Sequence, residues 1–474
     1  MSAAPVPSPA IRGRSPLRIA LWIACSFIAV WAALALYWRS IQHVPSSTEL
    51  LLNGIGVPLL LVIGIAGICK GLFAPSQGAA SPLDPVEAAP SGSGSENTSQ
   101  PTAKIALLDA SMRLPAGMNV DEVLAVAREG KVVGLHPSLL LRNGAKAFAN
   151  AAASIWHDDF EDALTALDVD PRLNDEQRRA IVLAAETIDE LLERHATTPV
   201  IPTAETMHAL APRFKLHLLL PERWRADAVI CAAWLDRHLA RGHWLPAVEP
   251  ATTAFAARAV GALALLDALT VELAAQPSSV RHILLACDSS LSQATVDALD
   301  DAGLLFAHNR PDGLVLGEGA CALLLAPPAA AGATQVHRLA SAARTTHAEL
   351  APLSGEQQSA TLVQLLESAC GHASTAGLTL MDCALVSDAD QRVSRRAEMA
   401  NTAQQAWPDT DSRLRCCHLG LANGSSNAAL ALGTVVAAAA HCNQTLQPTF
   451  AASLGDPLER GVVLVIPGNS VADV

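Results

Sequence analysis

An α/β fold, preceded by a two-helix membrane hairpin, is what this chain of 474 residues predicts. Three observations lead there. Two twenty-residue runs without a charge open the chain. From Lys104 onward, short apolar runs alternate with longer amphipathic ones, the pattern of mostly parallel strands joined by helices. That alternation restarts after a Pro-Pro-Ala-Ala-Ala-Gly break at residues 327–332. With 51% hydrophobic, 16% charged and 4% aromatic residues, the core must be built mainly from Ala, Leu and Val.

The first run, residues 19–38, is bounded by Arg18 and Arg39. Twenty residues at about 1.5 Å each span the roughly 30 Å hydrocarbon layer. Trp22, Trp31, Tyr37 and Trp38 supply amphipathic rings, two of them at the end where headgroups lie. The second run, residues 50–69, is softened by Asn53 and Pro58 and carries Gly54, Gly56, Gly64 and Gly67, small residues that let helices approach closely. A cleaved signal peptide fits less well, because the apolar stretch exceeds a typical h-region and a second follows at once. The tail at residues 1–18 holds Arg12, Arg14 and Arg18, whereas the loop between the runs holds only Arg39 and Glu49. The positive-inside tendency therefore places both the N-terminus and everything after Lys70 on the cytoplasmic side. The expected setting is a bacterial inner membrane crossed twice by residues 19–70, with the bilayer as first partner. Residues 71–102, rich in Pro, Ser, Gly and Ala, read as a flexible linker with a reach of roughly 30 Å.

In the body, a strand at 105–110 is followed by a helix that Asn119 caps, with Glu122 at its third position and Gly130 as its stop. Helices are expected at 176–195, 226–241 and 253–275, and strands at 215–220 and 282–287. Ser290 would cap a helix at 292–301, and a glycine-rich segment leads into a strand ending near Leu325. After the break, the pattern predicts elements at 335–342, 357–376, 383–387, 394–407, 414–417, 426–442 and 461–466, again alternating strand and helix. No residue-level internal repeat is visible.

The net charge of −13 is unevenly spread: the first 70 residues carry five bases against Glu49, leaving −17 for the remainder. A body this acidic does not bind nucleic acid, which requires clustered Lys and Arg. Ten cysteines form no CxxC pair and no regular framework, and Cys416 and Cys417 are adjacent. They read as reduced thiols of a cytosolic body. His157, Asp158, Asp159, Glu161 and Asp162 resemble a metal cluster only in composition, their spacing fitting a solvated acidic face. No metal or cofactor is expected.

One segment names a family. Pro311-Asp312-Gly313-Leu314-Val315-Leu316-Gly317-Glu318-Gly319-Ala320 resembles the DGxVxGEGA segment of β-ketoacyl synthases, condensing enzymes of the thiolase-like superfamily. The resemblance implies two similar α/β halves in layers αβαβα, here residues 103–330 and 331–474. It also implies a homodimer formed by pairing sheets. Enzymes of this kind place a nucleophilic Cys at a strand-to-helix turn. The matching turn falls near Val260, Gly261 and Ala262, and holds no Cys. Ala286-Cys287-Asp288-Ser289-Ser290-Leu291 superficially resembles the nucleophile motif ACSSSL, but it lies too close to Asp312, which favours a structural thiol. The first histidine segment, AHGTST, has Val386-Ser387-Asp388-Ala389-Asp390-Gln391 as its counterpart, with neither His nor Gly-Thr. The second, KxxxGHxxGAAG, is written here from Arg413 to Gly424, with His418 in the histidine's place. The closing GFGGTN segment has no counterpart. Asn423-Gly424-Ser425-Ser426-Asn427 offers amides for an anion, or Ser426 as a helix cap.

One family catalytic residue of three therefore carries over. The expected protein is a degenerate, noncatalytic thiolase-like body, tethered to the membrane and serving an unidentified protein partner as a binding or adaptor module. In its anchored α/β plan it is similar to accessory proteins of bacterial secretion systems, including type VI lipase adaptors. The other reading is an active β-ketoacyl synthase-like acyltransferase acting on acyl thioesters, with Cys287 as nucleophile and His418 binding the carbonyl.

Overall fold

The computed structural model describes residues 104–153, 160–195, 213–242, 244, 248–274, 280–327, 337–341, 345–346, 355–372, 378–457 and 459–467. The expected tail, hairpin and linker, residues 1–102, lie outside the described residues, as do His157, Asp158 and Asp159. No helix among the described residues is long and apolar enough to cross a membrane.

Strand β1 (Lys104–Arg113) leads to α1 (Val120–Arg128), a hairpin of β2 (Leu135–Leu140) and β3 (Lys146–Phe148), then α2 (Phe160–Ala166) and α3 (Asp175–His195). Next come β4 (Arg213–Pro221), α4 (Ala228–Arg241), β5 (Thr252–Ala256), α5 (Gly261–Ala274), β6 (Val280–Ser289), α6 (Gln293–Asp301) and β7 (Glu318–Ala326). The second half runs β8 (His337–Ser341), β9 (Thr345–Thr346), α7 (Gly355–His372), β10 (Ala384–Ser387), α8 (Val393–Ala406), α9 (Ser412–Arg415) and β11 (Cys416–His418). It ends with α10 (Gly420–Asn423), α11 (Asn427–Thr445), β12 (Thr449–Ser453) and β13 (Glu459–Ile466).

The strand order exposes a duplication that the residues conceal. The first half lies in the order β5-β4-β6-β7-β1 and the second in the order β11-β10-β12-β13-β8. Each half thus places its third, second, fourth, fifth and first long strand side by side. In both, the fifth runs antiparallel to its two neighbours while the second pairs in parallel with the third and fourth. The halves join through an antiparallel pairing of β1 with β8, from Lys104↔Ala340 to Leu107↔His337.

Both faces of each half are covered. One core lies between the first half's strands and α3 and α4, another between the second half's strands and α7 and α8. The third contains α5 and α11 with side chains from both sets of strands, which makes five layers. Coverage on both faces explains why β6 and β7 read as unbroken apolar runs. It also explains why α11 is apolar nearly all round: a helix between two sheets has no wet face.

Local signals set several boundaries. Asn119 accepts from the Glu122 amide at 3.0 Å while the Glu122 carboxylate accepts from Met118 N at 2.8 Å, and Gly130 ends the turn at φ +67°. The expected helix at 253–275 is corrected: its first residues form β5, which pairs in parallel with β4 from His217↔Thr252 to Pro221↔Ala256. Tertiary pairing overrides the helical reading of an Ala-rich stretch. The cap of α6 is Ser292, which accepts from Thr295 N at 3.1 Å, rather than Ser290. The strand expected at 414–417 starts only at Cys416, after a helical turn. The sequence pattern predicts none of the strands β2, β3, β9 and β12.

Candidate functional site

The glycine-rich segment ties the halves together. Gly317 N donates to Ser425 O at 3.1 Å, Ser425 N to Val315 O at 2.8 Å, and Leu316 N to Phe148 O at 3.2 Å. A Cβ on Gly317 would strike the carbonyl oxygen of Asn423, and Gly424, facing it, sits at φ +68°. Close backbone approach is the reason for both glycines. Glu318, fully buried, accepts from Arg179 Nε at 2.8 Å and Nη2 at 2.6 Å, from Ser289 Oγ at 2.9 Å and from Ala152 N at 2.9 Å. Val315, Leu316, Gly317 and Glu318, within the stretch that resembles the condensing enzymes, thus each have a structural task. After α10 the Gly424 amide donates to Gly420 O and the Ser425 amide to Val315 O, and the Ser426 side chain makes no capping bond: its hydroxyl is buried without a hydrogen-bond partner.

Three turns converge beside this segment. The first is Ala257–Val260, between β5 and α5, closed by Gly261 N donating to Arg258 O at 3.0 Å. It lies two to three residues before the turn expected from sequence. It holds no thiol but Arg258, whose guanidinium lies 3.4 Å from Asp456 and 3.2 Å from Glu459. The second turn follows β10. There Asp388, buried, accepts from Ser453 Oγ at 2.6 Å, from Gly455 N at 3.3 Å and from Leu454 N, and burial pushes its carboxyl above the usual range. The third is the β12–β13 loop itself: a Cβ on Gly455 would stand 3.2 Å from Asp388 Oδ2 and 3.5 Å from Ala259 Cβ.

A cleft of about 590 Å³ opens over these turns. Arg258, Arg310, Asp312, Arg392, Asn427 and Asp456 supply its polar wall, and Ala257, Leu304, Leu314 and Pro457 its apolar one. Its cations are held in ion pairs: Arg310 with Asp300 at 2.7 Å, and Arg392 with Asp390 at 2.9 Å while donating to Gly455 O at 3.1 Å. Below lies a buried charge network, with Glu398 accepting from Arg460 at 2.6 and 2.9 Å and from Arg395 at 2.9 Å. Such a floor is rigid, since removing one partner would strand a buried charge.

The two side chains singled out from sequence are placed apart. Cys287 lies on β6, 2% exposed, on the sheet face that packs against α3 and α4. Burial pushes its thiol far up, and Cys231 adds to the shift. His418 ends β11, its Nδ1 2.8 Å from Ser387 Oγ. Burial depresses its pKa to about 4, so the ring is neutral near pH 7. It lines a separate cavity of about 230 Å³ with Asp390, Arg396, Met399 and Cys416. Neither residue lines the 590 Å³ cleft. Among the described residues no group of three His, Cys, Asp or Glu side chains is arranged to hold a metal ion.

Sequence reasoning missed Arg258, Arg310, Arg392 and Asp456. The available signal was positional: an arginine among alanines between an apolar run and a long Ala/Leu helix. The arrangement offers guanidinium and carboxylate hydrogen bonds at the mouth of an apolar cleft. Among the described residues it offers no activated nucleophile beside them.

No family model and no curated protein sequence matches the chain. Solved structures do. The ishigamide ketosynthase/chain length factor superposes with a TM-score of 0.52 at 15% identity, covering 77% of this chain and 99% of that one. A type II PKS acyl-carrier protein in complex with its ketosynthase gives 0.52 at 13% identity, covering 77% of this chain and 100% of that chain. The ketosynthase from module 6 of the bacillaene synthase from Bacillus subtilis 168 gives 0.51 at 15% identity, covering 78% and 72%. Joined to the duplicated strand order, these matches establish that the chain carries the thiolase-like fold of the β-ketoacyl synthases.

Proposed function

We propose that this protein is a noncatalytic thiolase-like binding module, held at a membrane by its N-terminal segment and offering the cleft over the β5–α5 turn, or its surface, to a protein partner. The observation that carries the reading is Arg258. At the strand-to-helix turn where condensing enzymes keep a thiolate, this chain has a guanidinium held by Asp456 and Glu459. A guanidinium stays protonated and cannot accept an acyl group. The neutral imidazole of His418 can hydrogen-bond a carbonyl, but alone it supplies no covalent step.

The test uses the full chain in detergent. Incubated with an acyl-thioester analogue and with a malonyl thioester, it should acquire no acyl adduct on any cysteine and release no carbon dioxide. Affinity capture from solubilised membranes should recover a protein partner, less of it with Arg258→Glu. Acylation of Cys287 would replace this reading with the acyltransferase one. Capture that is unchanged by Arg258→Glu would move the binding surface away from the cleft.

A further inference from the structure

Strand β11 ends the continuous sheet, and among the described residues it pairs with β10 alone, in parallel from Leu385↔Cys416 to Ser387↔His418. The main-chain groups on its other side therefore join no ladder. A cavity of about 480 Å³ touches Cys416, Cys417 and His418 in succession. Successive side chains of a strand point to opposite faces, so a space lined by three in a row runs along the strand's edge. Two smaller cavities flank it, about 230 Å³ on the α8 side and about 340 Å³ on the side of α1 and α11. Leu414, just before the strand, lines the latter and is 76% exposed.

Charge marks this edge. The body is strongly acidic, yet arginines line all three cavities: Arg396 on the α8 side, Arg415 on the α1 and α11 side, and Arg128 at the edge. Two carboxylates share the walls. Asp390 is taken by Arg392 at 2.9 Å, which leaves Glu129. Arg128 donates to His441 Nδ1 at 3.0 Å, an imidazole that does not compensate its charge. The exposed Arg396 guanidinium has no hydrogen bond or ion pair among the described residues.

On the footing that this protein is a noncatalytic binding module, we propose that its β11 edge accepts, as an added strand, an extended acidic segment of the protein partner. The segment's carboxylates meet Arg396 on one face and Arg128 and Arg415 on the other. An added strand presents alternate side chains to both faces, and the cations stand on both. A compact anion such as phosphate requires cations that converge, whereas Arg396 and Arg415 line no cavity in common. In such a complex main-chain pairing supplies affinity and side-chain contacts supply selectivity.

Phage-displayed random peptides of about ten residues, a strand's length, are selected against the full chain in detergent. The enriched peptides should be rich in Asp and Glu among β-branched residues. Resynthesised with a fluorescent label, they should bind roughly tenfold more weakly to Arg396→Glu and to Arg415→Glu in anisotropy titrations, and as before to Arg258→Glu. N-methylating one alternate set of their backbone amides should abolish binding while the other set is tolerated, because only one set faces β11 and every charge is kept. The edge site is overturned if acidic sequences are not enriched, if the two N-methylated forms behave alike, or if neither edge variant weakens binding. Peptides weakened by Arg258→Glu alone would move the partner to the 590 Å³ cleft, overturning the edge site while keeping the binding role. An acyl adduct on Cys287 is a separate readout and would strike the binding role itself.

Discussion

His418 and His217 are two of the residues through which acid should reach this fold. His418 is bonded to Ser387, and burial lowers its pKa to about 4 from an ordinary 6.5. His217 stacks on His282 with nitrogens 3.0 Å apart and is likewise lowered to about 4, by burial first, then by His282 and Lys215, against a smaller opposing pull from Glu272. An imidazole with a depressed folded pKa binds more protons in the unfolded chain. Its stabilising contribution is therefore complete above the unfolded value near 6.5 and is lost as pH falls toward 4. At about 1.4 kcal/mol per pKa unit, each ring accounts for about 3 kcal/mol across that window. Guanidinium midpoints measured from about pH 7 to about pH 4 should fall steeply, and His418→Gln should make that fall shallower. Comparing the variant with the parent isolates His418 from Asp388, whose raised pKa favours the fold on acidification. A midpoint independent of pH over this range would mean that neither ring is held neutral by burial.

At the scale of elements, the segment that resembles the condensing enzymes is a fastener. Gly317 sits where the approach to β7 meets the chain after α10, and a methyl there would collide with the Asn423 carbonyl, a backbone atom fixed in place by its own neighbours. Gly317→Ala should cost roughly 3 kcal/mol, the scale of overpacking against rigid surroundings. Chemical denaturation would register this as a lower midpoint at unchanged slope. A shift within error would show that the two strands can part freely. The same distinction decides what could be read from sequence. The α1 cap is local, written in Asn119, Glu122 and Gly130, and it emerged residue for residue. The β5–α5 boundary is not local: Thr252–Ala256 is a strand because β4 offers it an edge. Misplacing that boundary moved the expected turn past Arg258 and hid the site. The absence of a thiol there was legible, whereas the cleft and the ion pairs of Arg258 exist only once the chain has folded.

For the molecule as a whole, one shared layer should make two similar halves unfold as one. α11 belongs to the second half by sequence, yet its side chains enter a core that also contains Leu284 and Leu323 of the first half and Ala451 and Val463 of the second. α5 does the reverse, belonging to the first half and packing against β13 as well as β1. Neither half can therefore retain its core when the other opens, and the body should melt in a single transition. Leu432, fully buried on α11, tests this. Leu432→Ala removes apolar volume that the enclosing layers cannot refill and should cost about 2–5 kcal/mol. Native-state hydrogen exchange then separates the alternatives. If the central layer couples the halves, the slowest amides of β6 and of β12 should accelerate by the same factor, because both exchange through global opening. Acceleration confined to β12, with β6 left as protected as before, would mean that the duplicated halves are independent folding units joined by little more than the β1–β8 seam.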